Sequence, residues 1–143
     1  MNVAAILKYK GRAVITVPPT ITLVEAARRL AHRRIGALVV VGARGEIDGI
    51  VSERDIIRVL SEQGAECLQR PVAEAMTRQV VTCRETDTLD ELMAMMTARR
   101  FRHLPVVTDG DLVGIISIGD VVKHHVAEIE MEATAMRDYI AHG

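Results

Sequence analysis

The sequence predicts a mixed α/β (α+β) protein made of two β-α-β-β-α repeats packed with pseudo-two-fold symmetry. A short lead-in precedes the first repeat and a long helix ends the second. The main observation is that the chain says nearly the same thing twice. Gly49-Ile50-Val51-Ser52-Glu53-Arg54-Asp55 returns as Gly114-Ile115-Ile116-Ser117-Ile118-Gly119-Asp120. Upstream, Val14-Ile15-Thr16 matches Val80-Val81-Thr82, Thr22-Leu23-Val24-Glu25 matches Thr88-Leu89-Asp90-Glu91, and Arg33-Arg34 matches Arg99-Arg100. The offset is 66 residues from Thr16 to Thr82 and 65 from Ser52 to Ser117, because the second hairpin loop is one residue shorter. A repeat of this kind fixes architecture before any local reading, and any groove site between the copies should occur twice. The second observation is composition. With 49% hydrophobic but only 2% aromatic residues, the core must be built from Val, Ile, Leu, Ala and Met.

Each element follows from local chemistry. Short β-branched strands open the copies at Ala13–Val17 and Val80–Cys83, followed by turns at Pro18-Pro19 and Arg84-Glu85. Thr22 with Glu25, and Thr88 with Glu91, read as capping boxes that start helices. Leu23, Ala26, Ala27 and Leu30, and in the second copy Leu89, Leu92, Met93 and Met96, recur at helical spacing and define the buried face. Leu38–Val41 and Leu104–Val107 are continuously apolar, as strands buried on both faces are. Loops at 42–45 and 108–111 turn the chain into third strands, Ile47–Val51 and Leu112–Ile116, and second helices follow from Ser52 and Ser117. Glu62–Pro71, with Gly64 and Pro71, reads as a linker; Val72–Met76 is a short helical lead-in, and Met1–Lys10 its counterpart. The division is 1–64 for the first repeat with its lead-in, 65–76 for linker and lead-in helix, 77–127 for the second repeat, and 128–143 for a C-terminal helical extension. In that last helix Val122, Val126, Ile129, Ala133, Met136 and Ile140 alternate in steps of four and three, a heptad-like row with charged flanks.

Several function classes are disfavoured. A formal charge of −1 offers no field for nucleic acid or an anionic membrane, and basic residues are not interleaved with aromatics as nucleic-acid platforms require. The longest apolar runs are far too short to span a bilayer, and Lys8 and Lys10 come too early for a secretory segment, so a cytoplasmic location is expected. Cys67 and Cys83 lack paired-ligand spacing, so neither a disulfide nor a metal site is expected. His124-His125 reads as solvated helix face, and the Met cluster as core filler. No nucleophile–base constellation and no Gly-rich phosphate loop is visible, so the chain is not expected to be an enzyme.

The motifs with chemical potential are the two Ser-x-x-Asp sequences, Ser52 to Asp55 and Ser117 to Asp120. Such a motif is a helix cap. Following a buried strand directly, it also sets helix N–H groups and a positive dipole end over a sheet edge, where an anion binds readily. A short carboxylate there can accept two hydrogen bonds from a vicinal diol such as ribose. The plain caps use Glu, whose longer arm suits back-bonding to the cap better, which favours a further role for the two Asp residues. Arg102-His103, where the first copy has Gly36-Ala37, is either a phosphate-binding pair or a surface pair. Arg33-Arg34 and Arg99-Arg100 supply favourable charge at helix C-termini.

With these motifs and Phe101-Arg102-His103-Leu104-Pro105-Val106-Val107 in view, the chain resembles a tandem cystathionine β-synthase (CBS) domain pair, or Bateman module, of the stand-alone bacterial type. The resemblance implies two clefts for adenosine-type ligands: AMP, ADP or ATP, and in some members NAD(H) or S-adenosylmethionine. It implies one cleft using Ser52, Arg54 and Asp55 with Thr77, Val80, Val81, Phe101 and Arg102. The other would use Ser117 and Asp120 with Arg12, Val14, Ile35 and Gly36, while His103 could meet phosphate from either side. Gly119, where the first copy has Arg54, and Gly36 without a side chain imply clefts of unequal affinity. The expected function is a regulatory module that senses adenine nucleotides and transmits occupancy as a conformational change. A homodimer is expected, and a protein effector is implied without being identified. The alternative is a ligand-free interaction scaffold that uses the C-terminal helix.

Overall fold

The structure is a computed structural model describing residues 1–142. It divides into two compact units that do not coincide with the two repeats: Ala13–Val81 forms one, and Met1–Arg12 joins the chain from Thr82 onward in the other.

In the unit Ala13–Val81, β1 (Thr16–Val17) runs parallel to β2 (Ala37–Val41), which pairs antiparallel with β3 (Ile47–Ser52). Ala37 through Val40 are all buried, as the unbroken apolar run requires. The helices α2 (Leu23–Arg33) and α3 (Glu53–Gln63) contribute Leu23, Ala26, Leu30, Ile56 and Val59 to a core with Leu38, Val40 and Val51. The helix α2 ends on Arg34 in the left-handed conformation (φ 54°). The expected linker is more ordered than a coil. The helix α3 continues to Gln63 before Gly64 ends it at φ 79°, and two 3₁₀ turns follow at Ala65–Gln69 and Val72–Glu74. They are pinned by backbone bonds from Leu23 N–H to Arg70 O (3.0 Å) and from Val72 N–H to Ile21 O (2.7 Å). Thr77 then pairs with Ile50 through reciprocal backbone bonds of 2.8 and 3.0 Å. Gly49 permits this approach, since a Cβ there would lie 2.7 Å from Thr77 O.

In the other unit, β4 (His103–Thr108) and β5 (Asp111–Ser117) form an antiparallel hairpin whose tight turn places Asp109 and Gly110 at φ 50° and 82°. Both hairpins break register at the same place, between Val40 and Val41 and between Val106 and Val107. The expected strand at Val80–Cys83 reduces to Cys83 alone, which bridges Val106 in parallel. Upstream of it, the Val80 N–H turns back to Arg78 O (3.0 Å) and diverts the chain from the sheet. The lead-in is a regular helix, α1 (Val3–Lys10), capped by the Asn2 side chain. It lays Val3, Ile6 and Leu7, all fully buried, into this unit, and a Cβ at Gly114 would meet Leu7 Cδ2 at 2.7 Å. The helix α4 (Leu89–Arg99) buries Leu89, Leu92 and Met96 and ends on Arg100 at φ 59°.

The final helix, α5, spans Ile118–His142 and is 25 residues long, about 37 Å at 1.5 Å per residue. Its buried side carries Val121 and His124. Here the reading of His124 as solvated is corrected: the ring is only 7% exposed and stands edge-on to Tyr9 of α1 at 5.3 Å. The histidine is covered because α1 packs along the start of α5, a contact that local periodicity does not encode. The large residues of the heptad-like row, by contrast, are exposed, from 47% at Val126 to 73% at Ile140, with Ala133 half-buried among them.

Candidate ligand site

Ser52 and Ser117 end β3 and β5 in extended conformation and hand the chain directly to α3 and α5. The expectation that Glu back-bonds better than Asp is reversed by the structure. Asp55 Oδ2 accepts the Ser52 N–H (2.9 Å) and hydroxyl (3.0 Å), while the Asp55 N–H donates to Ser52 Oγ (3.2 Å). Asp120 repeats this, with Ser117 N–H to Oδ2 at 2.8 Å and its own N–H to Ser117 Oγ at 3.1 Å. In the plain caps, the threonine hydroxyls accept from Glu25 and Glu91 N–H, both at 3.2 Å. The Glu25 carboxylate goes instead to Arg29 (3.4 Å) and Arg28 (3.7 Å) on the next turn. The physical reason is reach: the short Asp arm stays over the helix start, and the longer Glu arm extends along the helix surface. The Ser-x-x-Asp motifs are therefore capping boxes, and each box fixes a carboxylate at a helix tip, using Oδ2 and leaving Oδ1 to groups outside the box.

A second chain segment meets each carboxylate. In the unit Ala13–Val81, Asp55 Oδ1 accepts from Thr77 Oγ1 (3.3 Å) and from Arg58 Nη2 (3.2 Å). In the other unit Asp120 Oδ2 accepts from Lys10 Nζ at 2.6 Å, and the same ammonium donates to Ile115 O at 2.9 Å. Burial pushes the Asp120 carboxyl upward, but the Lys10 hydrogen bond, the Ser117 N–H and the Lys10 charge outweigh it and hold the group below the ordinary carboxylate value.

The remaining expected residues fall as follows. Gly36 lies at the start of α3, where its carbonyl accepts the Glu53 N–H (3.1 Å); Arg102 lies likewise at the start of α5, its carbonyl accepting the Ile118 N–H (2.8 Å). The structure thus brings Gly36 to Ser52 and Asp55, and Arg102 to Ser117 and Asp120, each within one unit. Val14, Ile35, Val80 and Val81 belong to the unit of Asp55 and are half-buried, and Arg54 is exposed there on the first turn of α3. Phe101 and His103 belong to the unit of Asp120 and are half-buried, whereas Arg102 is exposed. Arg12 is engaged by Glu85, whose carboxyl is held below its ordinary value first by the Thr108 hydroxyl (2.9 Å) and then by Arg12. Lys10 and Arg58 escaped the sequence reading. The repeat offset sets Lys10 against Met76, an apolar residue, so aligning the copies gives no sign of a charged contact. Among the described residues, no helix is long and apolar enough to cross a membrane.

Two α/β units, each fixing an aspartate at the helix that follows its hairpin, define a tandem repeat protein with duplicated cap carboxylates. The chain belongs to the CBS domain family: the family profile matches residues 9–62 and again 72–127. Among curated relatives, the mitochondrial CBS domain-containing protein CBSX3 of Arabidopsis thaliana is 32% identical over 151 residues, covering 99% of this chain and 73% of that protein. CBSCBSPB5 of the same plant is also 32% identical, over 116 residues and 81% of this chain, but the match spans only 21% of that longer protein. Among solved structures, the CBS-domain protein ATU1752 of Agrobacterium tumefaciens superposes with a TM-score of 0.83 at 50% identity, over 85% of this chain and 91% of that one. The CBS pair of MJ0100, solved with 5′-methylthioadenosine and S-adenosyl-L-methionine, gives 0.79 at 28% identity over 90% and 98% of the two chains. PAE2072 of Pyrobaculum aerophilum, solved with AMP, gives 0.75 at 29% identity over 84% and 89%.

Proposed function

We propose that this chain is a regulatory module that binds adenosine-containing ligands, adenine nucleotides or adenosyl compounds, and acts by binding rather than catalysis. The observation that carries the reading is the duplicated carboxylate. Asp55 and Asp120 are each locked at a helix tip by a serine cap, in a family whose solved members hold AMP, 5′-methylthioadenosine and S-adenosylmethionine. A ribose diol would take the place of the Thr77 and Arg58 donors on Asp55 Oδ1, and would meet Asp120 beside the Lys10 bond on Oδ2. In this reading Ser52, Asp55, Thr77, Ile35 and Gly36, with Val14, Val80 and Val81, serve one ligand. Ser117, Asp120, Arg12, Phe101, Arg102 and His103 serve the other. A ligand shifts the conformational balance only by its differential affinity for the alternative arrangements. Calorimetry with AMP and with S-adenosylmethionine on the wild type, Asp55→Ala and Asp120→Ala tests this. Each substitution should remove one site, and full stoichiometry in both variants would remove the assignment.

We further propose a homodimer through α5. Its apolar row is exposed, and a parallel second copy in register would set Glu132 against the other helix's Arg137, and His125 against its Glu130. The same exposed row supports the rival reading, a ligand-free interaction scaffold. Absence of any thermal shift with adenosine compounds would leave that reading standing.

A further inference from the structure

We infer that Lys10 makes the Asp120 site selective for adenosine compounds that carry a phosphate over those that do not. This rests on the reading of Asp120 as a ribose-holding carboxylate and adds to it a charge filter.

The two carboxylates have different neighbours. Around Asp55, the segment that crosses β3 supplies only neutral donors: the Thr77 hydroxyl reaches Asp55, and the Thr77 N–H reaches Ile50 O. Ile115 is the counterpart of Ile50 in the second copy, and there a single ammonium serves both acceptors. Lys10 Nζ lies 2.9 Å from Ile115 O and 2.6 Å from Asp120 Oδ2. One unit therefore places a full positive charge where the other places a hydroxyl and an amide. Arg58 also pairs with Asp55, but its side chain is 53% exposed, and so solvated a pair contributes little. The Lys10 side chain is 28% exposed and is held by two groups of its own unit, so its position is set before a ligand arrives.

Two of the three ammonium N–H directions are taken by Ile115 O and Asp120, which leaves one for a further acceptor. A phosphate oxygen on that direction gains a charge-assisted bond at the positive end of α5. An uncharged nucleoside gains nothing from the cation and must share the carboxylate with it. The strand start adds to the contrast, since Arg102 and His103 stand where the first copy has Gly36 and Ala37.

The test is calorimetry with ADP and with adenosine on Asp55→Ala, which retains the Asp120 site, and on Asp55→Ala/Lys10→Met. Asp55→Ala should bind ADP at least about tenfold more tightly than adenosine, as one charge-assisted bond allows. Adding Lys10→Met should erase most of that preference while adenosine affinity holds or rises, and Lys10→Arg should keep it. If ADP binds the double variant as well as or better than Asp55→Ala, Lys10 is a plain competitor for Asp120 and the inference is overturned. If neither compound binds even the wild type, the ribose-holding reading falls, and the inference with it.

Discussion

Gly114→Ala tests how α1 is seated on β5. A methyl at this position would lie 2.7 Å from Leu7 Cδ2 and 3.0 Å from Cδ1. Leu7 cannot swing aside, because it is fully buried beside Val3 and Ile6. Overpacking of this kind should cost about 1–3 kcal/mol. Leu7→Ala alone removes buried carbons and should cost about 2–5 kcal/mol. In the double variant the new methyl enters the space that Leu7 vacates, so the two losses should fall short of their sum by about 1–3 kcal/mol. Gly49 gives the contrasting case. There the methyl would meet Thr77 O, a backbone atom, at 2.7 Å, as well as Met76 Sδ at 2.8 Å. Truncating Met76 relieves the sulfur but leaves the carbonyl, so Gly49→Ala and Met76→Ala should be nearly additive. Urea unfolding followed by far-UV circular dichroism on both cycles measures these couplings. Strict additivity for Gly114 with Leu7, or strong rescue for Gly49 with Met76, would refute the packing argument.

Three further outcomes follow from the same contacts. Asp120 is held below the ordinary carboxylate value, about 3.9, so its bridge to Lys10 contributes stability above that pH and loses it as pH falls through the lower folded value. The stability gap between wild type and Lys10→Met should stay constant from about pH 6 to pH 5 and close below about pH 4; a gap unchanged at pH 2.5 would contradict it. The Cys83 thiol is pushed up to about 12, first by burial and then by the Asp87 charge, so in a Cys67→Ala background maleimide labelling at pH 8 should wait on unfolding by urea. Stoichiometric reaction within minutes in native buffer would contradict that burial. Removing the chain from Glu128 onward takes away most of the exposed apolar row, and light scattering should then report the mass of one truncated chain where the full chain gives that of two. A truncated chain that still scatters as a dimer would place the dimer contact elsewhere.

What the sequence made legible was the repeat and what depends on near neighbours. The buried strands, the helix starts at Thr22, Ser52, Thr88 and Ser117, and the helix ends at the Arg33-Arg34 and Arg99-Arg100 pairs all follow from patterns a few residues long, whereas the left-handed conformation of Arg34 and Arg100 does not. What stayed hidden depends on contacts distant in the chain. Cys83 keeps one bridge of an expected strand because Val80 turns back locally. His124 is covered because α1, more than a hundred residues earlier, lies across it. Lys10 was invisible for the same reason: its partners, Ile115 and Asp120, are reached only after the whole first repeat has been traversed. The preference of Asp over Glu for the reciprocal cap was misjudged because side-chain length was weighed without the direction in which each arm runs.

The division of the chain also sets an order of events during synthesis. Ala13–Val81 is continuous, so it can complete its contacts as soon as it clears the ribosome. The helix α1 emerges ahead of that unit but cannot settle until β5, more than a hundred residues later, has been made. Until then Val3, Ile6 and Leu7 have nowhere to bury, and the nascent protein carries an unsatisfied oily stretch ahead of its completed unit. A segment translated before Ala13–Val81 is thus among the last to find its place, and chaperone demand should concentrate there.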